Sequence, residues 1–256
     1  PAPGVEVTNY TAVNTGCASD FALPLFEDNF YHASLTLVDD PKKQCDCADP
    51  CRHRLSLYQT GGYGEEKVPF MPDLEGVGHV TFTDEGRRAF FTRCECEEDR
   101  YSCALYYRDR DAKSGDWGPP VQLPAFINQQ GFTITQPHAF YNPQEEQHYL
   151  YYVTDHPGTG ARGGLDIWYT TFRGNEFSQP VNAGDINTQA DDVTPFFHAP
   201  TGALYFSTNG RTSFGGYDFD IFYVPINAEY PEAPVNAGLP YNSSFDDLYF
   251  SLNERG

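Results

Sequence analysis

Acidic side chains occur in pairs at one recurring place in the chain. Asp191 and Asp192 are followed 55 residues later by Asp246 and Asp247, and Asp20 stands at the matching place near the start. A glycoside hydrolase needs two carboxyl groups about 5 Å or about 6.5–9.5 Å apart across a pocket. A catalytic residue normally appears once, whereas a residue that recurs in successive repeats normally serves the repeat. We therefore interpret Asp192 and Asp247 as structural residues.

Three other aspartates lie where glycine-rich turns lead into strands: Asp166, Asp218 and Asp220. Their carboxylates can accept N–H hydrogen bonds from the turn, which is a structural role. Two of them, with nearby carbonyl oxygens, can also contribute to a calcium site, which needs about six or more oxygen ligands. Because the sequence contains no D-x-[DN]-x-[DN]-G loop, we expect no cofactor, and calcium at these aspartates is the alternative.

The seven cysteines form two clusters and one separate residue. Their positions are Cys45, Cys47 and Cys51, then Cys94, Cys96 and Cys103, and finally Cys17. The first two cysteines of one cluster precede those of the other by 49 residues, as do the strand-like runs that follow. Both clusters therefore occupy the same place in a repeat, where later repeats have glycine-rich turns instead.

These clusters predict disulfides that close hairpins. We expect the pairs Cys45–Cys51 and Cys94–Cys103, each worth about 2–4 kcal/mol, and the sequence does not assign partners to Cys17, Cys47 and Cys96. Disulfides indicate an oxidising compartment. Zinc is the alternative, but the clusters belong to neighbouring repeats rather than to one zinc knuckle.

One short phrase containing asparagine recurs along the chain and defines the repeat. The asparagines are Asn14, Asn128, Asn187 and Asn242, and the last three are 59 and 55 residues apart. The first two are 114 residues apart, which leaves room for one copy with a degraded phrase, found near residues 76–80. We assign these asparagines a structural role in the repeat.

The repeat predicts the organisation of the chain. One domain is expected, with the tail of a preceding repeat followed by four whole repeats and the first strand of another. The ranges are 1–14, 15–75, 76–128, 129–187, 188–242 and 243–256. The first two whole repeats carry the cysteine insertions. Because the chain begins and ends inside repeats, we expect it to be part of a longer protein.

The composition favours strands throughout the chain. There are 18 Tyr and 20 Phe, which suit strands, and 23 Gly and 20 Pro, which require frequent turns. Each repeat offers four strand candidates, which is typical of a blade in an all-β propeller. A β-sandwich is the alternative, but it does not explain a phrase that recurs at fixed offsets.

Charge and motifs exclude several function classes. Asp and Glu outnumber Lys and Arg by 36 to 16, giving a net charge of −20 that argues against nucleic-acid binding. No segment is long and apolar enough to span a membrane. The sequence contains no H-E-x-x-H, G-x-S-x-G or phosphate-binding loop motif. On these grounds we expect that the protein is not an enzyme.

The recurring segments resemble a known family. Residues 201–209, 215–222, 234–238 and 241–247 are similar to the WD40-like, TolB-type repeats called PD40, especially those of Bacteroidota envelope proteins. Such proteins often carry an OmpA-like peptidoglycan-binding domain, and some are accessory lipoproteins of type IX secretion and gliding. The match covers 75–256 well and 15–74 weakly.

The chain also departs from this family. It has the cysteine clusters, it has Ala199-Pro200 where Pro-Asp-Gly is usual, and it contains no OmpA-like domain. Peptidoglycan binding is therefore unsupported. The resemblance implies an exported scaffold in the periplasm or at the cell surface, bound to protein partners. Two alternatives stay open: a propeller that binds or hydrolyses glycans, and a filament subunit that self-assembles through open strand edges.

Overall fold

The protein is described by a computed structural model. It describes residues 19–21, 25–26, 29–37, 53–61, 68–83, 85–97, 100–213, 219–226 and 233–253. Contacts divide the chain into two compact units, whose described residues run from 19 to 123 and from 124 to 253. In the part of the chain so described, the strands form four antiparallel sheets, two in each unit.

The first unit contains the first and second sheets. The first sheet comprises β1 (Ser19–Phe21), β2 (Leu25–Phe26), β3 (Asn29–Leu37), β4 (His53–Gly61) and β5 (Val68–Pro69). The second sheet comprises β6 (Val77–Thr83), β7 (Arg88–Glu97), β8 (Arg100–Asp109) and β9 (Val121–Gln122). Successive long strands pair as hairpins, with Tyr31 opposite Gln59 and Phe90 opposite Tyr107.

The second unit contains the third and fourth sheets. The third comprises β10 (Ile134–Asn142), β11 (Gln147–Thr154), β12 (Asp166–Arg173), β13 (Glu176–Phe177) and β14 (Val181–Asn182). A 3₁₀ turn at Gly184–Ile186 follows. The fourth comprises β15 (Asp192–His198), β16 (Ala203–Thr208), β17 (Asp220–Pro225) and β18 (Val235–Asn236). Here Tyr151 lies opposite Tyr169, and Tyr205 opposite Tyr223.

The four sheets confirm the all-β prediction and its strand pattern. Each sheet falls within one of the ranges assigned to a repeat, although the exact repeat bounds stay predictions. Apolar strand residues fill the interior of each unit, for example Phe91 and Val77 in the first unit and Leu204 and Val153 in the second. Among the described residues, no helix is long and apolar enough to cross a membrane.

The first strand of the second, third and fourth sheets carries an irregularity that the sequence phrase did not indicate. His79, Gln136 and Thr194 have positive φ values of 46°, 52° and 53°, and each interrupts the strand pairing at a bulge. Tyr249 has a φ of 59° at the corresponding place after the fourth sheet. A bulge turns one side chain out of the alternating pattern of a strand. The direction of the side chains at these positions therefore depends on the bulges in the fold.

Candidate functional site

The repeat asparagines of the second unit bind the backbone of a neighbouring strand. Asn187 accepts a hydrogen bond from Ile167 N and donates one to Ile167 O, both at 2.8 Å. Asn242 makes the same pair with Ile221, at 2.8 and 2.9 Å. Both asparagines are buried. Each therefore attaches the third long strand of its sheet to the turn that follows that sheet.

The two remaining repeat asparagines are Asn128 and Asn14. Asn128 lies in a turn where its backbone N–H donates to Pro124 O at 3.0 Å. Asn14 lies outside the described residues.

The paired aspartates accept hydrogen bonds from backbone N–H groups. Asp192 Oδ2 accepts from Thr188 N, and Asp247 Oδ2 accepts from Ser243 N. Their neighbours reach the preceding sheet, because Asp191 accepts from Leu165 N at 2.8 Å and Asp246 from Phe219 N at 3.0 Å. Asp192 and Asp247 thus bind the turn of their own repeat, whereas Asp191 and Asp246 bind the preceding repeat. Asp20 is described only through its backbone in β1.

Burial raises the pKa of the Asp192 carboxyl above its usual range. Hydrogen bonds from Thr208 and Thr188 and the charge of Arg211 oppose this shift. Asp192 is fully buried. Asp192 therefore lies in a closed polar network rather than in an open cleft.

The aspartates considered for calcium lie in two different sheets. Asp166 Oδ2 accepts from Arg162 N at 2.6 Å and from Asn182 Nδ2 at 3.1 Å. Asp220 Oδ2 accepts from Asn236 Nδ2 at 2.7 Å. Asp218 lies outside the described residues. Within the described ranges, no group of three or more acidic, His or Cys side chains is arranged to hold a metal ion, and calcium at these positions stays a prediction.

The predicted Cys94–Cys103 disulfide is present in the first unit. The two residues face each other directly across β7 and β8, with their Cα atoms 4.0 Å apart. Cys96 is also disulfide-bonded. The remaining cysteines, Cys17, Cys45, Cys47 and Cys51, lie outside the described residues, so the pairing Cys45–Cys51 stays a prediction.

Sequence reasoning missed a run of exposed apolar side chains, here called the apolar segment and defined as residues 235–248. Leu239, Tyr241, Phe245 and Leu248 are 60%, 47%, 76% and 37% exposed, and Val235 is also exposed. The repeat phrase could have identified them, because the corresponding places one repeat earlier carry Asp185, Ile186, Ala190 and Val193. Val193 is only 4% exposed.

Sequence reasoning also missed a cavity in the first unit. Its volume is about 160 Å³, and it adjoins an open cleft of about 460 Å³ that shares Arg110 and Trp117 with it. The remaining residues that line the cavity are Phe26, Asn29, Tyr31, Gln59, Phe70, Phe82 and Gly86. Five of the residues that line the cavity are aromatic, and the polar side chains are those of Asn29, Gln59, Arg110 and Tyr31.

Comparison with known proteins identifies the fold. No family model matches the chain, and no curated protein matches it. Among solved structures, a family 117 glycoside hydrolase from Zobellia galactanivorans matches with a TM-score of 0.50 and 10% identity. The match covers 91% of this chain and 73% of the hydrolase. The fold is a β-propeller, and the four sheets are its blades.

Two other solved structures give somewhat lower scores. A thermostable family-43 glycoside hydrolase matches with a TM-score of 0.49 and 16% identity, over 89% of this chain and 74% of its own. TolB from Acinetobacter baumannii matches with a TM-score of 0.48 and 12% identity, over 82% of this chain and 42% of its own. The chain therefore spans less than half of that TolB structure. The link to Bacteroidota envelope proteins stays a prediction.

These comparisons correct one expectation. We expected that the protein is not an enzyme, because the sequence lacks the catalytic motifs named above, and this prediction is wrong. A family 117 glycoside hydrolase is among the solved structures that match the chain. Function depends on the geometry of a site rather than on one linear motif, so the absence of such motifs does not exclude catalysis.

Proposed function

We propose that this β-propeller is an exported platform that binds a protein partner through the apolar segment. The observation that carries the proposal is the exposure of four large apolar side chains, Leu239, Tyr241, Phe245 and Leu248, within ten residues. Apolar patches on a protein surface are typical of interaction sites. Aromatic residues such as Tyr241 and Phe245 are enriched at the centres of protein interfaces.

Hydrogen bonds hold the backbone of the apolar segment in place. Asn242 binds Ile221 at both its N and O atoms. Asp246 and Asp247 bind Phe219 N and Ser243 N. The Tyr241 ring packs against Phe250 at a centroid distance of 5.2 Å. A partner would thus meet a preformed surface, which lowers the entropic cost of binding.

Charge and the disulfide support the remaining parts of the proposal. The net charge of −20 would favour a partner with a basic rim around its apolar contact. The Cys94–Cys103 disulfide supports a location outside the cytoplasm, because cytosolic thiols are kept reduced. The periplasm and the cell surface both meet this condition.

Photo-crosslinking at Phe245 tests the proposal directly. A benzophenone amino acid would replace Phe245 in cells that express the chain, and the matched control would carry it at Tyr141, which is 45% exposed in the same unit. We expect a discrete adduct with another protein at 245 and none at 141. No adduct at 245, or equal labelling at both positions, would overturn the proposal. An adduct of the chain with itself would support the filament alternative instead.

A further inference from the structure

We propose that the cavity of the first unit is a binding site for an uncharged sugar ring. The cavity is an exception within the repeat, and it can be traced to particular residues. Equivalent hydrogen bonds show which residues of the first and third blades correspond. In the first blade Phe70 N donates to Leu57 O, and in the third blade Ala183 N donates to Ile167 O. Gln59 is two residues after Leu57, and Tyr169 is two residues after Ile167, so Gln59 and Tyr169 occupy the same position in their blades.

The two blades match position by position around this point. Tyr31 lies opposite Gln59 as Tyr151 lies opposite Tyr169. Phe26 pairs with Asn29 as Phe140 pairs with Tyr149. The first blade therefore has two amides, Asn29 and Gln59, where the third blade has two tyrosines. In the second and fourth blades the place of Gln59 is taken by Tyr107 and Tyr223.

Tyrosine rings fill this place in the third blade. The Tyr169 ring lies 5.7 Å from Tyr149 and 5.3 Å from Tyr151, between centroids. A stacked phenylalanine pair lies near this position in each unit. The pair is Phe26 with Phe82 at 4.5 Å in the first unit and Phe140 with Phe197 at 4.0 Å in the second, between ring centroids. The aromatic frame is thus the same, and the shorter amides leave the space that becomes the cavity.

The outer wall is set by the loop between β8 and β9. Asp111 Oδ1 accepts from Lys113 N at 2.9 Å and from Ser114 N at 2.8 Å, which fixes the turn. Arg110 Nε donates to Gly115 O at 2.8 Å, and its guanidinium lies 5.9 Å from the centre of the Trp117 ring. Trp117 and Arg110 are therefore held at the mouth of the cavity.

The side chains of the cavity select the chemistry of the ligand. Asn29 and Gln59 each carry both a donor and an acceptor, which suits hydroxyl groups that both donate and accept. The aromatic side chains of Phe82, Phe70 and Trp117, which line the cavity, suit the apolar C–H groups of a ring. A hydroxyl-bearing ligand can exchange hydrogen bonds with both amides, which a purely apolar ligand cannot do.

Charged ligands fit the cavity less well than neutral ones. The guanidinium of Arg110 at the mouth repels a cation. Asp109, Asp111 and Asp116 line the adjoining cleft and repel an anion. The cavity alone is smaller than the roughly 300–1,000 Å³ of a typical ligand site, so it suits one ring. The adjoining cleft offers room for a second ring.

The indole N–H signals provide a local test, because the chain contains two tryptophans, Trp117 at the cavity and Trp168 in the other unit. Neutral sugars would be titrated into ¹⁵N-labelled protein: glucose, galactose, mannose, xylose, arabinose and their disaccharides. We expect at least one to shift the Trp117 signal and not the Trp168 signal. A dissociation constant of about 1 mM is expected for a single ring, and a lower one for a disaccharide.

Gln59→Tyr restores the residue of the other blades and fills the cavity. We expect it to weaken sugar binding at least tenfold, whereas Gln179→Tyr, the same change at an exposed position of the second unit, should leave binding unchanged. Gln59→Glu keeps the shape and removes the amide donors, so it should also weaken binding even where Gln59→Tyr folds poorly.

Three results would overturn the proposal. The first is that none of the neutral sugars shifts the Trp117 signal, as expected of a cavity that holds only water. The second is undiminished binding by both Gln59 variants. The third is that glucosamine, glucuronate or inorganic phosphate binds more tightly than every neutral sugar.

Discussion

In the second blade, the hairpin of β7 and β8 is closed by the Cys94–Cys103 disulfide. In the third blade, the hairpin of β11 and β12 ends instead in a glycine-rich loop held by the next turn of the chain. Gly164 N donates to Ala190 O at 3.2 Å, and Leu165 N donates to Asp191 at 2.8 Å. One place in the repeat is therefore secured by a covalent bond in one unit and by hydrogen bonds in the other.

The glycines of that loop permit the close approach. A Cβ at Gly163 would lie 2.5 Å from Ala190 O, and one at Gly164 would overlap the Asp191 carboxylate. The hydrogen-bonded version therefore needs both small residues in the loop and an aspartate in the next turn. The disulfide needs neither, since it closes the hairpin within its own strands. Different changes should consequently weaken the two hairpins.

The largest effect is expected for Asn187→Ala in the hydrogen-bonded unit. The change leaves Ile167 N without its buried partner, and it removes the bonds that the amide donates to Asn182 and to Ile167 O, which keeps its bond from Ala183 N. An unsatisfied N–H costs about 1–3 kcal/mol and each lost hydrogen bond about 1 kcal/mol. We expect the free energy of unfolding to fall by about 4 kcal/mol. Urea denaturation followed by Trp168 fluorescence in a Trp117→Phe background measures it. A loss below about 1 kcal/mol would show that water replaces the amide.

A slightly smaller effect is expected when the covalent link is removed. The double variant Cys94→Ala/Cys103→Ala should lose about 2–4 kcal/mol, because the unfolded chain gains freedom. Urea denaturation followed by Trp117 fluorescence in a Trp168→Phe background is the measurement. Wild-type protein carrying the same tryptophan change is the control. Unchanged stability would mean that cross-strand packing alone holds β7 to β8.

A pH-dependent effect is expected from the second unit. Burial lowers the pKa of His138 to about 4, despite a smaller opposing effect of a hydrogen bond with the Phe197 backbone. The unfolded state, with an ordinary pKa of about 6.5, then binds more protons than the folded state between pH 4 and 6.5. The contribution of neutral, buried His138 to the free energy of unfolding is fully present above pH 6.5. That free energy falls as the pH drops from 6.5 to 4, by about 1.4 kcal/mol per pH unit at most.

His138→Phe should remove this part of the pH dependence. The ring already packs against Phe196 at 5.2 Å and Phe140 at 6.1 Å, so an apolar ring suits the site. The difference between the unfolding free energies of variant and wild type should grow on acidification from pH 6.5 to 4. A difference independent of pH would contradict the assignment. His79, whose pKa burial also lowers to about 4, retains its own contribution in both proteins.

Much of this architecture follows from local sequence. The strands around Val193, Ala203 and Asp220 were predictable because apolar runs alternate with glycine and proline turns. The Cys94–Cys103 pairing was predictable because the two residues flank one hairpin. Such features depend on neighbours that are close in the chain, where spacing alone limits the geometry.

The features that sequence did not reveal depend on strand register. The cavity follows from Asn29 and Gln59 standing opposite particular residues of neighbouring strands, and a single-residue shift in pairing would turn them to the other face. The positive φ values of Gln136 and Thr194 likewise follow from bulges that the recurring phrase does not encode. The exposure of Phe245 depends on which strands pack beside it.

Hydrogen exchange of the two hairpins, measured by mass spectrometry with and without a reductant, tests the central comparison most directly. We expect reduction to speed exchange in peptides from β7 and β8, where Cys94 and Cys103 are joined, and to leave peptides from β11 and β12 unchanged. Equal acceleration in both hairpins, or none in β7 and β8, would contradict the conclusion that the two units secure the same hairpin by different means.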